Sequence, residues 1–317
     1  MKIVYNGEME TRAFKDILGT TIPRLCEEDP SVIYLDADLT SCIGTAKWSA
    51  KNPDRGINCG ISEANMIGVA CGLAATGFHP IAHTFGPFAS RRVFDQVFLS
   101  AGYAKNDITV IGSDPGVTAA FNGGTHMPFE DVALYRTIPT ATVIDITDAN
   151  MLIDVLEQAK DIPGVKYLRV GRKFNAKVFE DGTKFDIHKA ITLREGKDAV
   201  VFCCGIMVHE ALKAAETLAA QGIDVAVVNT FTIKPLDEET VKKYAKATGH
   251  VVVAENHNKI GGLYSAVCEA LAKDPCARID YVAVEDEYGE VGPQDYLQER
   301  FGLTAAHIVE KVTALVK

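Results

Sequence analysis

The sequence lacks every short motif that usually gives away a chemistry by itself. It has no Walker loop, no G-x-G-x-x-G between a strand and a helix, no H-E-x-x-H and no G-x-S-x-G elbow. Its eight cysteines, at 26, 42, 59, 71, 203, 204, 268 and 276, include no C-x-x-C pair. They read as small apolar residues in a reducing compartment rather than as disulfides or zinc ligands, and the expected location is the cytoplasm. No apolar run reaches membrane-spanning length, and Met1-Lys2-Ile3-Val4-Tyr5-Asn6-Gly7-Glu8 carries no signal-peptide core. Positive charge is also short: 32 Lys and Arg stand against 42 Asp and Glu, a net charge of −10. That argues against nucleic acid or an anionic membrane as the main partner. It leaves room for an anionic substrate, since a few arginines in one pocket override the overall balance. Gly261-Gly262 could be mistaken for a phosphate loop, but a tight strand-to-helix turn explains the pair equally well.

What is present is length and rhythm. A chain of 317 residues, 47% hydrophobic and 23% charged, can fill two ordinary cores. Strands are expected at Ser31–Leu35, Ile81–Thr84, Ile108–Gly112, Ala141–Ile146 and Lys166–Val170. Helices are expected between them at Met66–Thr76, Ala89–Ala104, Glu130–Tyr135 and Ala149–Lys160. Such alternation predicts an α/β fold with a mostly parallel sheet. Lys173–Lys189 breaks the rhythm with charge and an Asp181-Gly182 turn, so it reads as a linker or boundary hairpin. A second α/β run follows, from the strand Asp198–Cys204 to the helix Ala305–Val316. The expected organisation is a domain over 1–175, a linker over 176–190 and a second domain over 191–317.

The chain is organised around Gly60-Ile61-Ser62-Glu63-Ala64-Asn65-Met66. Ser62 is a good helix cap and Glu63 places negative charge in the first turn. Gly68, Gly72 and Ala74-Ala75 then leave a helix surface smooth enough for another helix to approach closely. Glu63 reads either as an ordinary first-turn acid or as a partly desolvated carboxylate, set beside Ile61, that holds a proton near neutral pH.

Further candidate loops sit at strand ends, where α/β sheets place their ligands. They are Asp36-Ala37-Asp38-Leu39-Thr40, Thr84-Phe85-Gly86-Pro87-Phe88, Gly112-Ser113-Asp114-Pro115-Gly116-Val117 with Asn122-Gly123-Gly124-Thr125-His126, and Arg169-Val170-Gly171-Arg172. With the Glu63 run, and in this order, they resemble the pyrimidine-binding domain of the transketolase family of thiamine diphosphate enzymes. Val253-Ala254-Glu255-Asn256-His257, Gly261-Gly262-Leu263 and Gly302-Leu303-Thr304 resemble that family's C-terminal domain.

The resemblance implies a fold of two α/β domains: a pyrimidine-binding domain with a mostly parallel sheet, and a smaller C-terminal domain. It implies that Glu63 hydrogen-bonds the aminopyrimidine of thiamine diphosphate and promotes the tautomer that activates the thiazolium carbon. Phe85 and Phe88 match the aromatic pair around the pyrimidine, although two such residues beside a strand otherwise read as core. Leu39 matches the apolar prop under the bent cofactor, Asp38 the aspartate beside it, and Ile61 lies next to the glutamate. Arg12 and Arg172 match the arginines that hold a sugar-phosphate tail; either alone would read as a solvated surface arginine. His126 matches the histidine of a Gly-Pro-Thr-His run, where it orients donor hydroxyls or shapes the loop.

Two departures stand out. Asp114 replaces a family histidine, and Phe121-Asn122 replaces a Glu-Asp pair. A mismatched buried polar contact costs about 1–3 kcal/mol, enough to discriminate roughly tenfold to a hundredfold. The expected donor is therefore not the ordinary xylulose 5-phosphate, or not that alone. The family's G-D-G…N diphosphate and magnesium motif is missing, and no Asp/Asn cluster has magnesium spacing. The resemblance thus implies the C-terminal subunit of a split transketolase. Its partner is an N-terminal subunit that binds the diphosphate with Mg2+ or Ca2+, in a heterotetramer of two copies each. Rival readings are the beta subunit of a 2-oxoacid dehydrogenase first component and a catalytically silent subunit of the same fold.

Overall fold

The computed structural model describes residues 1–317. The first half runs α1 (Phe14–Glu28), β1 (Val32–Asp36), α2 (Ala46–Lys51), β2 (Gly56–Asn58), α3 (Glu63–Ala75) and β3 (His79–Phe85). It continues with the short turns α4 (Gly86–Ala89) and α5 (Phe94–Gln96), then β4 (Ile108–Ser113), α6 (Asp131–Arg136), β5 (Ala141–Asp145), α7 (Ala149–Gln158) and β6 (Val165–Val170). The second half contains β7 (Ile191–Arg194), β8 (Ala199–Cys203), α8 (Met207–Ala220), β9 (Val225–Asn229), β10 (Thr232–Lys234) and α9 (Glu238–Thr248). It closes with β11 (His250–Asn258), α10 (Leu263–Leu271), β12 (Arg278–Val284), α11 (Gln294–Arg300) and α12 (Ala305–Val316).

These strands build a seven-stranded sheet in the order β10-β5-β6-β4-β3-β1-β2 and a five-stranded sheet in the order β12-β11-β8-β9-β7. Only the edge pairs β10–β5 and β7–β9 are antiparallel. β1, β4, β5, β6, β8 and β9 are buried at every position, which is why they read as near-continuous apolar runs. Parallel register brings the carboxyl ends of β1, β3, β4 and β6 to one edge of the first sheet. That edge carries the candidate loops.

Two apolar layers cover the sheets, and each continues from one sheet to the other. Leu18 and Ile22 of α1 and Leu152 of α7 belong to the layer that also holds Leu218 of α8 and Ile308 of α12. Met66 and Ile67 of α3 and Val132 of α6 share the opposite layer with Val241 of α9 and Val267 of α10. Each fully buried side chain of this size contributes about 1.5–3 kcal/mol. No helix is long and apolar enough to cross a membrane.

Three features add to or depart from the sequence reading of the architecture most visibly. The helix expected over Ala89–Ala104 is broken. Ser90 closes α4 by donating its hydroxyl to the Gly86 carbonyl (2.7 Å), and the chain resumes as α5 and a π-helical stretch, Val97–Tyr103. The segment 176–190, which joins the two halves, is packed down along its length. It runs against the N-terminus through the bridges Ile3–Phe179 and Met9–Ala176, and buries Val178, Phe179, Phe185 and Ile187. Finally, β10 of the second half completes the first sheet, so the two halves are interleaved there.

Candidate active site at the carboxyl edge of the first sheet

Glu63 is the first residue of α3 and is 4% exposed. The turn before it is fixed by Asn58 at the end of β2. The Asn58 side-chain carbonyl accepts from the backbone N–H of Gly60 (2.9 Å) and of Asp38 (3.1 Å), and its amide donates to the Asp38 carboxylate (3.0 Å). Gly60 takes φ +71°, a conformation that favours glycine. Ser62 makes no side-chain cap. The carboxylate of Glu63 is not held in an apolar surround: Oε1 accepts from Arg92 Nη1 at 2.6 Å, while Ile61 stands 76% exposed. Oε2 has no hydrogen-bond partner in the chain.

Beside it lies an aromatic cluster. Phe85 at the end of β3 and Phe88 in α4 meet edge-to-face at 6.3 Å, and the His126 ring packs on both, at 5.6 and 5.1 Å. The Arg92 guanidinium lies 3.8 Å over the Phe88 ring, so one side chain joins the buried carboxylate to the aromatic cluster. The break after α4 is what turns Arg91 and Arg92 toward the site; Arg91 pairs with Glu130 at 2.7 Å. Burial, with the neighbouring Arg92 and Arg91, pulls His126 below the ordinary histidine range.

Asp114 follows β4 at φ +56° and is 2% exposed. Arg172, just past β6, donates Nε to Asp114 Oδ2 at 2.6 Å, and its Nη2 reaches the same oxygen. Its guanidinium also lies 4.8 Å over Phe85. Burial pushes the Asp114 carboxyl up against the pull of Arg172. On Arg172, burial works to lower the guanidinium's pKa, and Asp114 more than offsets it. Arg12 is bonded to Glu10 (3.0 Å), Asn150 (3.1 Å) and Asp181 (3.3 Å), and the backbone beside it runs along the Arg172 segment, the Lys15 N–H donating to the Arg172 carbonyl at 3.1 Å. No hydrogen bond joins Arg12 itself to Arg172, Asp114 or His126. Asn122 is exposed beside Phe121, and Leu39 is half-buried at the end of the β1 loop.

A buried polar network stands under this edge. Asp36 accepts from Tyr34 (2.5 Å), from the Leu39 backbone N–H and from His83 Nδ1 (2.7 Å), and His83 Nε2 bonds Ser113 at 3.0 Å. Asp36, His83 and Ser113 are fully buried. The network ties the Leu39 loop to the residue preceding Asp114. From the second sheet, Asn256 on β11 braces the same loop, accepting from the Val117 N–H (3.0 Å) and donating to the Pro115 carbonyl (2.9 Å). Gly116 admits that approach, since a Cβ there would lie 2.1 Å from the Asn256 side-chain oxygen.

Residues 10–174 match the family model described as Transketolase, pyrimidine binding domain, and residues 188–308 match Transketolase, C-terminal domain. The chain belongs to the transketolase family. It is 45% identical, over 96% of its length and 95% of the relative's, to the 6-deoxy-6-sulfo-D-fructose transketolase subunit SqwH of Clostridium sp. (strain MSTE9). It is 33% identical to a putative transketolase C-terminal section of Methanocaldococcus jannaschii, across 94% of this chain and 95% of that one. Among solved structures, a split-gene transketolase, an inactive beta4 tetramer, superposes with TM-score 0.87 at 35% identity, covering 96% of this chain and 98% of that one.

Transketolases use thiamine diphosphate, and the residues present suit its aminopyrimidine end. Glu63 offers one carboxylate oxygen that no other group engages, next to the Phe85–Phe88–His126 cluster and the exposed Ile61. The Arg92 side chain that pairs with Glu63 and covers Phe88 is itself 46% exposed. In this chain the Gly261-Gly262 pair is not a phosphate loop. Glu255 takes the N-terminus of α10, accepting from the N–H groups of Leu263 (2.7 Å) and Tyr264 (2.8 Å), and a Cβ on Gly262 would collide with it. Sequence reasoning missed Arg92, Asn58 and His83, and gave no role to Asp36 and Asn256 although both lie inside quoted motifs. Asn58 and Arg92 flank recognised motifs, and that proximity was the only signal either carried.

Proposed function

We propose that this chain is the C-terminal subunit of a two-polypeptide transketolase, transferring a two-carbon ketol unit from a ketose donor to an aldose acceptor. The reading is carried by one juxtaposition: a buried glutamate with a free oxygen, held by Arg92 against an aromatic cluster on the ligand edge of a parallel sheet. Thiamine diphosphate supplies the nucleophilic carbon. Glu63 shares a proton with the ring nitrogen presented to it, Phe85 and Phe88 flank that ring, and Leu39 and Asp38 shape the loop beneath it. His126 and Arg172 face the donor, and the diphosphate with its Mg2+ or Ca2+ belongs to the partner subunit.

The outer face of α3 supports a shared site. Ala64, Asn65, Gly68, Val69 and Gly72 are exposed, and a Cβ built on either glycine meets nothing within 4 Å. Leu99 and Tyr103, on the neighbouring π-helical stretch, are 49% and 82% exposed. A surface so apolar and smooth suits a helix of another chain, and the proposed assembly holds two copies of each subunit. Relatives of nearly equal length that are named as a subunit, a C-terminal section and a split-gene product support the division into two polypeptides. Eight unpaired cysteines accord with a cytoplasmic location. The donor proposed is a ketose with an anionic end, 6-deoxy-6-sulfofructose first, after the relative that is 45% identical.

Reconstitution tests the reading. The chain, its diphosphate-binding partner, thiamine diphosphate and Mg2+ together are expected to transfer ketol units, with negligible transfer by the chain alone. Full activity from the isolated chain, or decarboxylation of 2-oxoacids without ketol transfer by the pair, would contradict it.

A further inference from the structure

We infer that Asp114 sets the charge state of the donor's terminal group, so that the site takes a singly charged sulfonate in preference to a doubly charged phosphate monoester. The inference rests on the transketolase reading above and adds a residue-level cause of selectivity to it. A guanidinium reads an anion best through two parallel N–H groups. On Arg172, Nε and Nη2 both turn to Asp114 Oδ2 and the Cys42 side chain also bears on the guanidinium, so Nη1 is the one N–H-bearing nitrogen that Asp114 does not engage. Arg12 is likewise engaged, by Glu10 and Asp181. Each arginine assigned to the anionic end therefore already carries a carboxylate.

Asp114 is not a chance neighbour of Arg172. It is 2% exposed, its backbone N–H donates to the Val170 carbonyl at 3.0 Å, and the Asn256 brace fixes the loop that follows. A buried carboxylate held this way cannot swing out to make room. A phosphate monoester carries about −1.5 to −2 charges at neutral pH, whereas a sulfonate carries a single one. The additional negative charge would face Asp114, whose charge Arg172 already shares, with only the exposed Lys173 nearby to offset it, and like charges brought together in a desolvated contact are strongly disfavoured.

The substitution D114N removes the charge and keeps the shape, and asparagine tolerates the left-handed backbone at φ +56°. In the assembled pair, kcat/KM is compared for 6-deoxy-6-sulfofructose and fructose 6-phosphate, and both sugars are also titrated calorimetrically into the thiamine-free pair. Wild type is expected to favour the sulfonate, and D114N to shift the ratio toward phosphate by roughly tenfold to a hundredfold, in binding as in turnover. D114H is expected to shift it the same way. A ratio unmoved in either variant, or a loss shared equally by both sugars, would overturn the inference. Absence of ketol transfer with a binding ratio that still responds to D114N would count against the transketolase reading and for this one.

Discussion

A glutamate at the first position of a helix is unremarkable until its two oxygens are followed separately. One oxygen of Glu63 is held by Arg92, whose own guanidinium rests on Phe88; the other accepts no hydrogen bond within the chain. The same economy recurs beneath the site. Asp36 serves three donors at once and through His83 reaches Ser113, the neighbour of Asp114. Replacing Asp36 with alanine leaves the Tyr34 hydroxyl, His83 and the Leu39 N–H without their acceptor inside the fold. The expected cost is about 3–5 kcal/mol of stability, read as a lower urea midpoint with unchanged slope. Phe85, Phe88, Asp114, His126 and Arg172, which the fold gathers at one edge of the first sheet, sit in contiguous motifs and so could be picked out together. Arg92, Asn58 and His83 could not, because their meaning lies in a partner 20 to 47 residues away.

At the scale of elements, buried parallel strands announce themselves as apolar runs, and the main strands fell within a residue or two of expectation. α1 was passed over: Gly19, Thr20, Thr21 and Pro23 interrupt its period, although Leu18 and Ile22 are fully buried. The break after α4 was equally hidden, since the serine bond that closes that turn has no periodic signature. The strand-to-helix turn at β11–α10 yields a measurable consequence. Burial raises Glu255 to about 7, against the pull of two backbone N–H groups. An unfolded glutamate titrates near 4.3, so this group's contribution is complete below that pH and is lost as pH rises through about 7. His257, lowered by burial to about 4, acts in the opposite sense: its contribution is lost as pH falls from the ordinary histidine range toward that value. E255Q is expected to abolish the first component alone. Denaturation of wild type and variant between pH 5 and 8 should show their stability difference moving by a few kcal/mol in favour of the variant as pH rises. A constant difference would refute the assignment.

On the scale of the whole molecule, the two apolar layers bind both sheets into one body, while β10 completes the first half's sheet and Asn256 braces the loop after Asp114. The ligand edge and the open face of α3 meet at Glu63, and in the proposed enzyme that corner is where a second subunit completes the cofactor site. The most direct test of this idea is the rate of ketol transfer by the reconstituted pair carrying E63Q, with assembly verified by sedimentation. The expected result is an intact assembly whose rate falls at least about a hundredfold, the range for losing a proton-transfer group. An intact assembly that turns over at the wild-type rate would contradict it.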